Sequence, residues 1–315
     1  MNSPRKVIID GDPGQDDAVN LLLAMASPEE LDILGITAVA GNVPLTLTQR
    51  NTRIICELAQ RLDIKVYSGC EGPMERELVT AENVHGNSGI DGMDVYEPRH
   101  PLEEQHAIDF IVETIRNEPE DTVTLIPTGP LTNIARAFIK APEIVLKVQQ
   151  IVLMGGAMRE GGNRTPSAEF NIYVDPHAAK VVFECGRPLT VIGLDVTHKV
   201  LATPARVELI RNTGTAAAIA TAGMLEFFNR YDTGKYGSAG GPLHDPCTVA
   251  WLLQPDLFKA KLCNISIETI SELTMGHTAV DFWNVTKKNR NANWLYAVDA
   301  DGFYALLTER LARLD

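Results

Sequence analysis

Positive charge is what this chain is short of. Against 41 aspartates and glutamates stand 28 lysines and arginines, a formal net charge of −13 over 315 residues. A nucleic-acid backbone or an anionic membrane is a poor partner for such a surface, although one nucleoside in a local pocket is compatible with it. Cysteine is scarce and odd in number: five residues, at 56, 70, 185, 247 and 263, with no C-x-x-C and no zinc-like spacing. They read as reduced core thiols, not as disulfides. Also missing are an apolar run of the ~20 residues that would cross a bilayer and an apolar core in M-N-S-P-R-K ahead of the first strand. A cytoplasmic protein with no membrane partner is expected. There is no low-complexity tract, no 20–50-residue repeat and no linker rich in Pro, Gly or Ser, so residues 1–315 are expected to form a single domain.

What is present is alternation. Strand-length apolar runs (K6-VII, I33-LGITAVA, K65-VYSG, T122-VTLIPT, Q150-IVLMG, L189-TVIGLD) are separated by stretches with helical spacing. Those stretches begin at Ala18, Thr48, Ala107, Leu131 and Asp175. Continuous apolar strands alternating with helices predict an α/β fold: an open, mostly parallel sheet with helices on both faces. The last third differs, with a helical region around 204–230, a polar loop to 243, a helix from Pro246 and a β-rich stretch over 262–286. It is expected to add mixed strands at the sheet edge. Ligands of open α/β sheets bind beyond the carboxyl ends of the strands, near a topological switch point, so the residues following each strand carry the functional expectations.

After the first strand comes D10-G-D12-P-G-Q-D16-D17, four carboxylates within eight residues. One Asp is a common helix N-cap. Four repel one another unless a cation or protons intervene, and hard divalent cations take oxygen ligands. Gly11 and Gly14 are expected to allow a tight turn. No G-K-[ST] follows, and the ligand spacing of an EF-hand is absent. A D-x-D after a strand also occurs in Mg²⁺-dependent haloacid-dehalogenase-type phosphatases, with Thr128 after a later strand imitating their second motif. Against this rival, Pro13 interrupts the motif, no clear Lys and late acidic pair follow, and a dense acidic pocket repels a phosphate dianion.

Other strand-end loops add candidates. H244-D245 precedes Pro246 at the first turn of a helix; Asp245 is a candidate metal ligand, and His244 a proton donor tuned by its carboxylate neighbour to titrate near working pH. The long loop from Met154 carries Asn163, Glu169, Phe170 and Asn171, and an extended backbone would aim Glu169 and Asn171 to one side. Such acceptors and donors suit sugar hydroxyls. His85 lies in N83-VHGNSGIDG, and Asn42 just past V39-AG, where turn chemistry is sufficient explanation.

Together these residues resemble the inosine-uridine-preferring nucleoside hydrolase family, from Lys6 to the C-terminus. D-x-D-P-G-x-D-D-A is its most specific mark, followed in order by AGN, the HG loop, TGPLTN, MGGA, E-F-N and the HD pair. L243-HDPCTVAWLL and L194-DVTHK are most similar to the bacterial pyrimidine-leaning members. The resemblance implies Ca²⁺ held by Asp12, Asp17, Asp245 and the Thr128 carbonyl, with Asp12 also the base toward the attacking water. It places Asp16, Asn42, Asn163, Glu169 and Asn171 on the ribose, with Met154 beneath it. His244 becomes the leaving-group acid; His85, Phe170 and Tyr236 lie near the base, and Asp10 supports the cluster from behind. Hydrolysis of ribonucleosides, pyrimidines preferred, to free base and ribose with inversion is expected, by a homo-oligomer (tetramer or dimer). Purine-acting or broad specificity is the alternative, and a non-catalytic nucleoside sensor a further one.

Overall fold

In the computed structural model, which describes residues 3–314 except the side chains of Asp232, Lys235 and Tyr236, nine strands form one sheet in the order β3-β2-β1-β4-β5-β6-β9-β7-β8. The strands are β1 (Arg5–Gly11), β2 (Leu31–Ala38), β3 (Val66–Ser68), β4 (Val123–Pro127), β5 (Val148–Met154), β6 (Leu189–Ile192), β7 (Phe258–Ile267), β8 (Thr278–Asp281) and β9 (Ala292–Val298). From β3 to β9 neighbouring strands run parallel; β7 is antiparallel to both β9 and β8. The mixed edge was legible in the sequence. The strand at 292–298, which inserts between β6 and β7, was not.

Alternating residues of each inner strand enter different cores. Val7, Ile9, Ile126, Val152 and Ile192 join one apolar cluster; Ile8, Leu125, Ile151, Leu153 and Val191 join the other, across the sheet. Helices cover both faces, as strands apolar on both sides require. One layer holds α1 (Gln15–Met25), α2 (Leu45–Leu58), α9 (Pro204–Arg211), α10 (Ala216–Tyr236), α11 (Pro246–Leu253) and α12 (Ala300–Leu311). Opposite lie α4 (Ala107–Asn117), α5 (Thr132–Lys140) and α7 (Pro176–Phe183). Three short helices, α3 (Glu82–His85), α6 (Phe170–Val174) and α8 (Leu194–Thr197), sit in the strand-end loops.

The chain leaves β1 for β2 and β3 on one side, then returns to β4 on the other, so the switch point lies between β1 and β4. Sheets that bind dinucleotides share the order 3-2-1-4-5-6 and place a glycine-rich phosphate turn there. Here the same turn is built of carboxylates. A helix N-terminus that would receive pyrophosphate has been made repulsive to it.

An acidic cavity at the switch point

Two helix N-termini meet above the β1/β4 crevice. α1 follows β1 directly, and α11 packs beside it, tied by the Thr248 hydroxyl to the Asn20 amide oxygen at 3.2 Å. Asp16 and Asp17 lie one turn before Asn20, and Asp245 one turn before Thr248. Packing the helices therefore brings three carboxylates together: oxygens of Asp16, Asp17 and Asp245 lie within 4.8 Å of one another. Positive helix ends favour this charge but cannot balance three such groups.

Each acid is buried, with Asp12 and Asp10 fully so. Asp12 Oδ2 accepts from the backbone N–H of Asn42 at 2.6 Å, while Oδ1 has no partner. Asp17 accepts from the Thr128 hydroxyl at 2.7 Å and from the Gly14 N–H at 3.3 Å. The latter bond is the helix-capping role of an acid three residues into the helix. Asp16 Oδ1 is unpartnered. Below them, Asp10 accepts from the Thr37 hydroxyl at 2.5 Å and the Asn133 amide at 2.8 Å, and its Oδ2 is bare. Asp245 occupies the N-cap position of α11 without making a side-chain cap bond.

Burial pushes all these carboxyls upward. Asp10 and Asp16 rise to about 7, in Asp16 with the charge of Asp17 as second cause. Asp12 and Asp245 are held well above the carboxylate range, first by burial and then by their acidic neighbours. The arrangement is thus unstable as a set of bare anions. Unpartnered oxygens, mutual repulsion and an all-oxygen donor set fit a hard divalent cation, whose charge would restore ionisation.

The glycines act differently from expectation. Neither Gly11 nor Gly14 has a positive φ. A Cβ on Gly11 would come within 2.6 Å of Asp17 Oδ1 and 2.8 Å of the Thr128 hydroxyl, and one on Gly14 would strike the His85 ring. Close approach, not turn conformation, requires them.

A cavity of about 580 Å³ opens above the acids. Of the expected residues, Asp16, Asn42, His85, Thr128, Met154, Asn163, Glu169, Phe170, Asn171, His244 and Asp245 line it. Asp10, Asp12 and Asp17 lie behind this lining. Tyr236 falls outside the described side chains. Asp16, expected on the sugar, belongs to the tight oxygen cluster, whereas Asp12, one of whose oxygens accepts from the Asn42 N–H, stands outside that trio. The Thr128 carbonyl accepts from the Asn171 amide at 2.7 Å and keeps a second lone pair.

Several local expectations are corrected. Asn42 does more than turn chemistry, since its amide also reaches the Asp12 carbonyl at 3.1 Å and Asp17 Oδ2 at 3.3 Å. Glu169 and Asn171 do not share an extended strand. Glu169 is the N-cap of α6, accepting from the N–H groups of Asn171, Ile172 and Gly156 at 2.9–3.1 Å, and Asn171 lies inside the helix. The exposed Asn163 closes the loop by accepting from the Phe170 N–H at 2.9 Å. His244 is not tuned toward neutral pH by Asp245: burial, then the His198 and His85 imidazoles, push it well below its usual value. Its Nδ1 lies 2.7 Å from the Thr197 hydroxyl.

Sequence reasoning missed the far wall. Phe228 and Tyr231 of α10, His198 after α8 and Glu160 in the long loop all line the cavity. Phe228 packs against His85 with ring centroids 5.5 Å apart and edge-on against His244 at 6.5 Å. α10 carries no motif, and its packing against α9, α1 and α3 turns these rings inward.

Comparison with known proteins agrees with this geometry. Residues 7–305 match the profile described as Inosine-uridine preferring nucleoside hydrolase. An uncharacterized protein of Schizosaccharomyces pombe is 48% identical over 309 residues, covering 98% of this chain and 99% of its own. The pyrimidine-specific ribonucleoside hydrolase RihA of Shewanella sp. strain MR-7 is 47% identical over 309 residues, covering 98% and 96%. Among solved structures, the plant nucleoside hydrolase PpNRh1 superposes with a TM-score of 0.92 at 31% identity, covering 98% of this chain and 99% of its own. A purine-preferring ribonucleoside hydrolase from Gardnerella vaginalis reaches 0.91 at 33%, with the same coverage. A carboxylate-lined switch point and a match over nearly the whole chain lead to one conclusion: this protein belongs to the inosine-uridine preferring nucleoside hydrolase family, a family of N-glycosyl hydrolases.

Proposed function

We propose that the protein hydrolyses the N-glycosidic bond of ribonucleosides, pyrimidines preferred, with a Ca²⁺ ion at the acidic cluster. The observation that carries this reading is the set of buried, partly unpartnered carboxylates on the floor of a cavity of nucleoside size. Asp12, Asp17, Asp245 and the Thr128 carbonyl would hold the ion. When bound, it supplies a positive centre for the 2′- and 3′-hydroxyls and lowers the pKa of a neighbouring water.

The protein's own groups do the rest. Asp12, with a free Oδ1 at the cluster, takes a proton from the water that attacks C1′. Asp16, Asn42, Glu169 and Asn171 present acceptors and amides to the ribose hydroxyls, with Met154 beneath and Asn163 at the rim. Their carboxylates stabilise the positive charge that develops as the sugar takes on oxocarbenium character. Direct attack by water inverts C1′ and yields base and ribose. His244, neutral in the free protein, faces the leaving base as an N–H donor that stabilises the departing anion. Phe228, Tyr231 and His85 form the base-side wall. Pyrimidine preference is supported by the 47% identity to RihA enzymes.

A single domain is supported by the continuous sheet, and a cytoplasmic address by five free thiols. No described helix is long and apolar enough to cross a membrane. A homo-oligomer is proposed on the resemblance alone and is checked by light scattering.

The test is ribose release from uridine, cytidine, inosine and adenosine, with Ca²⁺ and after chelation. Chelator-sensitive release, fastest from uridine or cytidine, is expected. Phosphate freed from nucleoside monophosphates, with no ribose from any nucleoside, would return the acidic turn to the phosphatase reading.

A further inference from the structure

Gln15 stands inside the acidic turn, yet the mechanism above gives it nothing to do. It is fully buried. Its Nε2 donates to the carbonyl oxygens of His85 at 2.8 Å and Asp91 at 3.1 Å, and its Oε1 lies 2.8 Å from Nδ1 of His85. Two carbonyl oxygens around one end of the amide fix that end as the NH₂ group, since an oxygen there would face two other oxygens. Oε1 is therefore an acceptor, and the facing nitrogen of His85 must carry the hydrogen. A neutral imidazole protonated at Nδ1 bears a lone pair at Nε2.

Burial alone pushes His85 down to about 3, so the ring is neutral at working pH. The ring lines the cavity, over Gly14 on one side and against Phe228 on another. Its hydrogen bond to Gln15 is made through Nδ1.

We propose that Gln15 is a positioning residue: it holds His85 in the Nδ1–H tautomer, so that Nε2 accepts a hydrogen bond from a donor of the bound nucleoside. His85 is then a reader of substrate donors and not a proton source for the leaving base. Apart from the 2′- and 3′-hydroxyls assigned to the acidic cluster, two groups of uridine offer that donor, the N3–H of uracil and the 5′-hydroxyl of ribose. This proposal rests on the ribonucleoside hydrolase reading for its substrate, but the tautomer can be tested without it.

The first experiment is a long-range ¹H–¹⁵N spectrum of protein labelled with ¹⁵N-histidine, with His85→Asn identifying the signal. A protonated Nδ1 and bare Nε2 are expected, moving toward the Nε2–H form in Gln15→Leu. Wild-type protein with the hydrogen on Nε2 overturns the proposal, whether or not any variant folds. The second is kcat/KM for uridine, 3-methyluridine and 5′-deoxyuridine. Loss of one neutral hydrogen bond predicts about tenfold discrimination against one analogue in wild type, collapsing to within about twofold in both His85→Ala and Gln15→Leu. The disfavoured analogue, 3-methyl or 5′-deoxy, identifies the donor. Discrimination unchanged in both variants overturns the role of Gln15 while leaving hydrolysis intact. A wild-type enzyme that releases no ribose from uridine sinks the hydrolase reading instead.

Discussion

The floor and the far wall of the cavity are built by different means. On the floor, Asp10 lies within β1, Asp12 follows it directly and Asp17 sits in the first turn of α1, and they are gripped by Thr37, Asn133, Asn42 and Thr128. Side-chain positions there follow from the end of β1, the first turn of α1 and the hydrogen bonds that hold them. The far wall is a set of rings, His85, Phe228, His244 and His198, spaced 5.5–6.5 Å apart. They come from two helices, the turn after α8 and the loop before α11, and ring contacts do much of the positioning. A floor so specified suits the invariant part of a nucleoside, the ribose. A wall so assembled can be altered one ring at a time, which suits the variable base.

This contrast can be broken at several points. Asp12→Ala is expected to have the largest effect, lowering kcat by about 10²–10⁴ through loss of the base and further through loss of the ion. Near-normal ribose release would remove Asp12 from the mechanism. His244→Ala, on the wall, should slow natural nucleosides by about 10²-fold and largely spare nitrophenyl riboside, whose leaving group needs no help. Equal losses on both substrates would show that His244 serves the floor instead.

A third test concerns the ion. Asp10 and Asp16 are raised to about 7, against about 3.9 in an unfolded chain. Groups raised on folding contribute stability that is full below the unfolded value and disappears as pH rises through the folded value. Metal-free protein should therefore lose Tm between pH 4 and 8, and Ca²⁺ should raise Tm most at the upper end. A metal-free Tm that does not fall over this range would mean that the carboxylates do not repel as their burial implies. Smallest of all, Phe228→Leu removes aromatic contacts worth about 0.5–1.5 kcal/mol each. KM for uridine should rise by up to about tenfold, with kcat on nitrophenyl riboside little changed; a collapse of both would make Phe228 structural.

The floor was legible because its residues follow strands in short, dense motifs. D-G-D-P-G-Q-D-D announces charge that needs compensation, and the helices and strands around it announce themselves by period. Phe228 and Tyr231 gave no such signal, being ordinary aromatics in a long helix whose burial pattern does not mark one face as functional. Glu169 was singled out from its position as a sugar ligand, and folding makes it the N-cap of α6.

By itself, the sequence determined the alternation of strands and helices, the strand ends where chemistry gathers, and the excess of oxygen donors at the first of them. These are local properties, set by periodicity and by residues adjacent in the chain. Tertiary structure alone decided that Asp245 joins Asp16 and Asp17, through a contact between residues 228 apart. It also decided that Asp12 stands just outside their trio, that His244 is held neutral by burial and two imidazoles, and that Gln15 faces His85. Each depends on which helix packs beside which and on how much water is excluded, quantities that exist only once the chain has closed on itself.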